Sequence, residues 1–148
     1  GACQVVRTAT LTLVADRPDG RVAALSAALD VLRELPIRGR RVVLCGWSRF
    51  KERGDDSAWA QYGDRVVSRC GADLVIGVGA AGTTTVAAAR HAGMSASRAI
   101  TCGSADEAMS WLRSWLRSGD AILISARDEQ ELNEWIQTLV PLTDAVAA

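Results

Sequence analysis

Asp73-Leu74-Val75-Ile76-Gly77-Val78-Gly79-Ala80-Ala81-Gly82 is the stretch on which the fold turns. An unbroken apolar run of strand length that ends in glycines reads as a buried parallel strand. Residues Thr83–His91 then read as a helix. The same alternation surrounds this unit. Upstream, Arg41-Val42-Val43-Leu44-Cys45-Gly46 is a second apolar run ending in glycine. It leads through a polar loop to a helix capped by Asp55 or Asp56 and running to about Cys70. Downstream, Arg98–Cys102 is a short strand, and Ser104 caps a helix to Arg117. Gly119-Asp120 turns the chain into the strand Ala121–Ser125, and Glu129–Leu139 is the last helix. Nearer the start, Val22, Leu25, Leu29, Leu32 and Leu35 share one face of a helix over 21–35, stopped by Pro36 and Gly39. Cys3–Arg7 and Thr10–Ala15 read as two short strands close enough to form a hairpin. Strands alternating with helices predict a three-layer α/β domain. Its sheet is mostly parallel and Rossmann-like, with a small antiparallel element at the N-terminus.

The 148 residues suit one domain over 1–148, with no linker or low-complexity tract. Lys+Arg and Asp+Glu both number 17, which argues against a nucleic-acid binder working through bulk charge. Lys51 is the only lysine, so any phosphate-cradling or general-base lysine has to be that one. The four cysteines form no CxxC pair, and His91 is the only histidine, so no local metal site is predicted. Cys45 and Cys102 end apolar runs and read as small buried hydrophobes. No apolar stretch is long enough to span a bilayer and no signal peptide is recognisable. The expected setting is the reduced cytoplasm, away from membranes.

Gly77-Val78-Gly79-Ala80-Ala81-Gly82 matches G-x-G-x-x-G between a strand and a helix, where a dinucleotide fingerprint belongs. The next strand, however, ends at Thr101-Cys102-Gly103 and offers no acid for a ribose hydroxyl. Two readings remain: glycines for a tight turn, or an anion site at Gly79, Gly82 and Thr83 built on free helix N–H groups. His91 closes a helix, where a cation complements the dipole. Asp16 starts a turn at the rim of the sheet. Trp111 and Trp115 share a helix face and read as packing against the sheet or a neighbour, with an exposed partner-binding patch as the alternative. Trp47 follows a strand's C-terminal end, where α/β proteins usually bind ligands.

Several pieces, in order, resemble the C-terminal domain of the Mur ligases, with the dipeptide-adding members nearest. Gly1-Ala2-Cys3-Gln4-Val5-Val6 is similar to the family's G-R-x-E-V-V opening. Leu13-Val14-Ala15-Asp16 is similar to its L-I-D-D strand end, and Ala27–Leu32 to the helix that follows. Arg40–Gly46 resembles R-x-x-V-L-G, and Gly119–Ile124 resembles the final G-D-x-x-L-V strand. The resemblance covers nearly the whole chain. It implies a fragment of a larger ATP-dependent ligase that acts on UDP-muramoyl-peptide and an amino acid or dipeptide. The chain's own N-terminal and central ligase domains would be its partners, with ATP and Mg held mostly by the central domain.

The resemblance also implies roles for particular residues. Asp16 and Arg17 would meet the nucleotide. Trp47, Ser48, Ser125, Arg127 and Asp128 would line the substrate side. Other family positions have changed. The opening arginine falls on Ala2, G-D-M reads Gly46-Trp47-Ser48, and S-Y-N-A-N-P reads Arg17-Pro18-Asp19-Gly20-Arg21-Val22. The family's histidine falls near Gln61, and K-G-S-R reads Ser125-Ala126-Arg127-Asp128. The implied role is a closure domain, with no catalytic residue of its own and no turnover alone, in a ligase that is either divergent or degenerate. Two alternatives stand beside it: a non-catalytic binding or assembly module on this scaffold, and a small nucleotide-binding Rossmann-like protein.

Overall fold

The structure, a computed structural model, describes residues 3–16, 22–45, 56–125, 130, 133–139 and 141. Strands β1 (Cys3–Arg7) and β2 (Thr12–Asp16) form the N-terminal hairpin. Then come α1 (Val22–Glu34), β3 (Arg41–Cys45) and α2 (Asp56–Arg65), which continues as a π-helical turn over Val66–Cys70. Next are β4 (Leu74–Val78), α3 (Gly79–His91), β5 (Ala99–Cys102), α4 (Ala105–Trp115) and β6 (Ala121–Ser125). Residues 133–139 form a last helical segment, α5. The strands lie in the order β1-β2-β6-β3-β4-β5, with β1–β2 antiparallel and every other pair parallel. This is the three-layer α/β architecture expected from the sequence.

Alternation along the strands sends side chains to two cores. Leu13, Val42, Leu44, Ile76, Ile122 and Ile124 face α4 and α5, where Met109, Leu112, Trp135 and Leu139 meet them. Val14, Val43, Val75 and Leu123 face the other way, onto Leu25, Leu29 and Leu32 of α1, Tyr62 of α2 and Val86 of α3. Each such side chain, fully buried, contributes roughly 1.5–3 kcal/mol of apolar transfer. Ser104 caps α4 by accepting from Glu107 N–H, and the Glu107 carboxylate accepts from Gly103 N–H. The reciprocal pair satisfies donors that a helix start leaves open.

Three boundaries differ from the sequence expectation. β2 starts two residues later than its alternation predicted because Thr8 builds a turn with Leu11, bonding both its N–H and its carbonyl. Asp16 is therefore the last residue of the strand rather than the first of a turn. α3 begins at Gly79 rather than Thr83, so the glycines make the first helical turn. Gly79 carries a φ of 74°, the left-handed region that glycine tolerates. A Cβ at Gly77 would meet the Gly82 carbonyl oxygen at 2.2 Å, so strand and helix touch backbone to backbone. Finally, α4 ends at Trp115, and Trp111 is 39% exposed rather than packed on the sheet. Leu112, the next residue, is buried and Trp115 is half-buried.

At the N-terminal edge of the sheet the loops are locked by ionic and carbonyl contacts. Asp120, 1% exposed, accepts from Arg40 N–H at 2.8 Å, from Arg117 N–H at 2.8 Å and from Arg40 Nη2 at 3.0 Å. The Arg40 guanidinium also lies 3.5 Å over the Trp115 ring. Arg41 donates to the carbonyls of Leu32, Arg33 and Leu35 that α1 leaves open. Arg117 does the same for Ser114 and Leu116 at the end of α4. A guanidinium fork suits several carbonyls at once, which an ammonium does not. These contacts put three arginine side chains, each bonded to backbone carbonyls or a carboxylate, at one edge of the sheet.

Candidate functional site

The parallel strands all end at the opposite edge, and in open α/β sheets ligands bind beyond those ends. Strand registry sets one row of side chains there. Cys3 lies across from Asp16, Asp16 across from Ser125, Cys45 across from Gly77, and Gly77 across from Thr101. Ser125 and Cys45 follow the Leu44–Ile124 pair by one residue, which closes the row. By alternation the five side chains of this row, Gly77 having none, point to the α1–α3 face. The row below is Val5, Val14, Leu123, Val43, Val75 and Ala99. The last row is thus polar or small where the one beneath is wholly apolar.

Tyr62 of α2 covers this row. It is completely buried and meets Trp59 edge to face at 6.0 Å between centroids. Its hydroxyl has no hydrogen-bond partner of ordinary geometry, and neither does the buried Ser125 Oγ. The two hydroxyls nonetheless bear on each other. Burial pushes the phenol well above its usual value, the negative charges that Cys45, Cys70 and Asp16 can carry push it further, and the Ser125 hydroxyl pulls it back. Burial also pushes the Cys45 thiol up to about 12, against an opposing hydrogen bond from Thr85. Cys3 and Cys70 rise to about 11, each mainly through burial, and Cys102 is also raised by burial. Thiols held protonated are poor nucleophiles, so this edge carries no activated cysteine. A cavity of about 10 Å³, about one water in size, opens at the row beside Leu44, Cys45, Ile124, Ser125 and Trp135. A larger open groove of about 670 Å³ lies at the other edge, by Asp73, Met94, Ser97 and Arg98. We place the candidate site at the strand ends, because the groove's Asp73 is already engaged by Arg41 N–H at 2.8 Å.

The structure brings together Asp16 and Ser125 of the residues singled out from sequence. Arg17, Trp47, Ser48, Arg127 and Asp128 lie outside the described residues. Gly79, Gly82 and Thr83 lie in the first turns of α3, whose start has no side-chain cap. The threonine hydroxyls face away from it: Thr83 donates to Gly79 O, Thr84 to Ala80 O and Thr85 to Ala81 O. His91 is exposed at the far end of the same helix. Tyr62 was missed from sequence. The available signal was its place with Trp59 and Val66 on the buried face of α2, as the chain's only tyrosine. No group of three metal-ligating side chains occurs among the described residues. None of their helices is long and apolar enough to cross a membrane.

A mostly parallel sheet of this order with helices on both faces defines a Rossmann-like α/β class, and solved structures share it. No family model and no curated protein matches the sequence. The fold is similar to part of a UDP-N-acetylmuramoyl-L-alanyl-D-glutamate–2,6-diaminopimelate ligase, at 20% identity and TM-score 0.57. That match covers 99% of this chain and 31% of the ligase. It is also similar to MurF from Thermotoga maritima in complex with ADP, at 14% identity, TM-score 0.57, and 95% and 30% coverage. MurF from Acinetobacter baumannii matches at 17% identity and TM-score 0.62, over 98% of this chain and 30% of that one. The chain therefore spans about 30% of the length of the Mur ligases whose fold it shares.

Proposed function

We propose that the chain is the C-terminal domain of a Mur-type ATP-dependent amide ligase that joins an amino acid or dipeptide to a UDP-muramoyl-peptide. The observation that carries this reading is the end-to-end match to one third of two kinds of Mur ligase, one of them seen with ADP. The domain's contribution is to close over the bound substrates, position them and exclude water. The described strand ends carry one carboxylate, Asp16, with hydroxyls and small residues beside it, and none of them is a cation. That set suits a neutral, hydroxyl-bearing part of a nucleotide and leaves the triphosphate charge to other groups. Arg17 and Arg127 follow β2 and β6 closely in the sequence, and a guanidinium fork suits phosphate or carboxylate oxygens. With Asp16 the only carboxylate in the row, Mg belongs with the nucleotide phosphates on the partner domains. The setting is the cytoplasm, where the nucleotide-linked precursor is made.

The test is ATP- and muramoyl-peptide-dependent ADP release by the full-length protein that carries this domain. Asp16→Ala should lower the rate about tenfold, the loss expected for one charge-assisted hydrogen bond. His91→Ala, exposed at the far end of α3, should leave it unchanged. No substrate-dependent ADP release, or equal effects of the two substitutions, would overturn the reading. A second reading, a non-catalytic binding module, is favoured by one feature: Trp111 is the largest exposed apolar side chain among the described residues.

A further inference from the structure

The two outer strands of the sheet, β5 on one side and β1 on the other, are finished differently. Val75 N–H donates to Arg98 O, so Ala99, the next residue, turns its own N–H and C=O away from β4. Both groups are covered from within the chain. Ala99 N–H donates to Ser95 O at 3.1 Å, and Ala99 O accepts from Arg90 Nε at 2.9 Å and Nη2 at 2.6 Å. β1 has no such cover. Thr8 N–H donates to Leu11 O, which makes Thr8 and Leu11 a bonded pair of the hairpin. By alternation Gln4 and Val6 bond β2, while Cys3, Val5 and Arg7 turn their N–H and C=O groups outward. No hydrogen bond reaches those outward groups among the described residues. The strand is exposed at every residue but Val6, with Val5 38% exposed. It has no proline, and no bulge interrupts its register, so the usual guards of an open strand are missing.

We propose that β1 pairs with β1 of a second copy of this chain, antiparallel about a two-fold axis at Val5, and so places Arg7 in the other copy's strand-end row. Self-pairing fits because the outward residues are spaced evenly about Val5. Val5 meets Val5, and Cys3 meets Arg7 of the second copy. Each is a pair that exchanges two N–H···O bonds, the kind that outward-facing groups make. The exposed valines, on the face shared with Val14, cover each other. No like charges stand opposite one another, since each Arg7 faces a cysteine. Charge complementarity favours the same register. Opposed residues point to the same face, so the second copy's Arg7 extends the row of Cys3, Asp16 and Ser125. The described part of that row has a carboxylate and no cation. Neighbouring strands lie about 4.8 Å apart, which leaves Arg7 and Asp16 about 10 Å apart at the backbone, a gap two side chains can close. A strand contact this short belongs to the transient class of interfaces, below about 1,200 Å². The proposal does not depend on the ligase reading.

The test is sedimentation equilibrium of the chain from about 1 μM to about 1 mM, where a dimer with a dissociation constant of roughly 100 μM is expected. Amide hydrogen exchange reads the register. In dilute solution Gln4 and Val6 should be protected and Cys3, Val5 and Arg7 should exchange freely. At the highest concentration all five should be protected. Val5→Lys sets two ammonium groups opposite each other and should weaken the dimer about tenfold. Val5→Pro removes an outward N–H that the hairpin does not use and should do the same. Arg7→Gln should weaken the dimer about threefold at low salt, the worth of one exposed ion pair, and reduce its salt dependence. A chain that stays monomeric throughout overturns the proposal. So does a dimer that Val5→Lys and Val5→Pro leave intact, since the interface then lies elsewhere, as on the exposed Trp111. Protection of Val5 at every dilution also overturns it, because another segment of the same chain then covers β1. An Arg7→Gln dimer of unchanged affinity and salt dependence overturns the shared row.

Discussion

The two edges of the sheet are built on different rules. At the N-terminal edge the polar groups share their bonds: Asp120 takes three N–H donors and Arg41 closes three helix carbonyls. At the C-terminal edge the last row is Cys3, Asp16, Ser125, Cys45, Gly77 and Thr101, with two hydroxyls unbonded nearby. Stability is concentrated at one edge and unused hydrogen-bonding capacity at the other. Because binding loops are drawn from the less strongly tied parts of a fold, the second edge is the one to examine for function. The contrast also bears on the choice of cation at Arg40, Arg41 and Arg117. Where one side chain must bond several carbonyls, arginine is the residue that can, and that edge uses arginine throughout.

The largest expected consequence is alkaline sensitivity, with Cys45 at the C-terminal edge the most strongly raised of the thiols given values and Cys70, away from that edge, adding to it. Cys45 is raised from 9.0 to about 12, and Cys3 to about 11, while Tyr62 is raised well above 10.0. A group whose folded value is raised gives stability that is fully present below its unfolded value. That stability is lost as pH rises toward the folded value. Melting temperature should therefore hold up to about pH 9 and fall from there toward pH 12. Cys45→Ala should flatten the fall, and an unchanged pH profile in that variant would show that the edge is not its source. Next in size is Asp120→Ala at the opposite edge. It leaves the Arg40 and Arg117 N–H groups without their acceptor and removes one of two acceptors of the Arg40 guanidinium, and should cost about 3 kcal/mol in denaturant unfolding. A loss below about 1 kcal/mol would mean that this edge is no more firmly tied than a surface ion pair.

What the sequence disclosed followed from local pattern. The apolar runs at 41–45, 74–78 and 121–125 were recognisable as buried strands because both faces of a central parallel strand are covered. Asp16 was visible as a rim carboxylate because it ends an alternating run just before Pro18 and Gly20. The row it belongs to was not visible. It exists because β6, the last strand in the chain, inserts between β2 and β3, and strand order is a long-range property. The same holds for Tyr62, which reaches the row only because α2 packs over that face. The start of α3 was misplaced for a local reason: glycines in sequence suggest a turn, and here they serve the close approach of Gly77 and Gly82. The resemblance to the Mur ligases located the fold, and solved structures at 14–20% identity carry it no further than the fold.

The smallest expected effect separates two uses of a hydroxyl at the C-terminal edge. Thr83 is exposed, and its Oγ1 donates to Gly79 O at 2.9 Å, a bond that leaves the helix's own ladder in place. Removing that hydroxyl deletes an acceptor's second bond and strands no buried group. Thr83→Ala should therefore change stability by no more than about 0.5 kcal/mol, the range for an exposed site away from special features. If an anion binds the first turn of α3 through backbone N–H groups alone, the variant should also bind inorganic phosphate as the parent does, measured by amide shifts of Ala80–Gly82. A clear loss of phosphate response in Thr83→Ala would show that the hydroxyl leaves Gly79 when ligand arrives. The C-terminal edge would then hold a hydroxyl group that a ligand can recruit. An unchanged response would confine the edge's adjustable polar groups to the row beneath Tyr62.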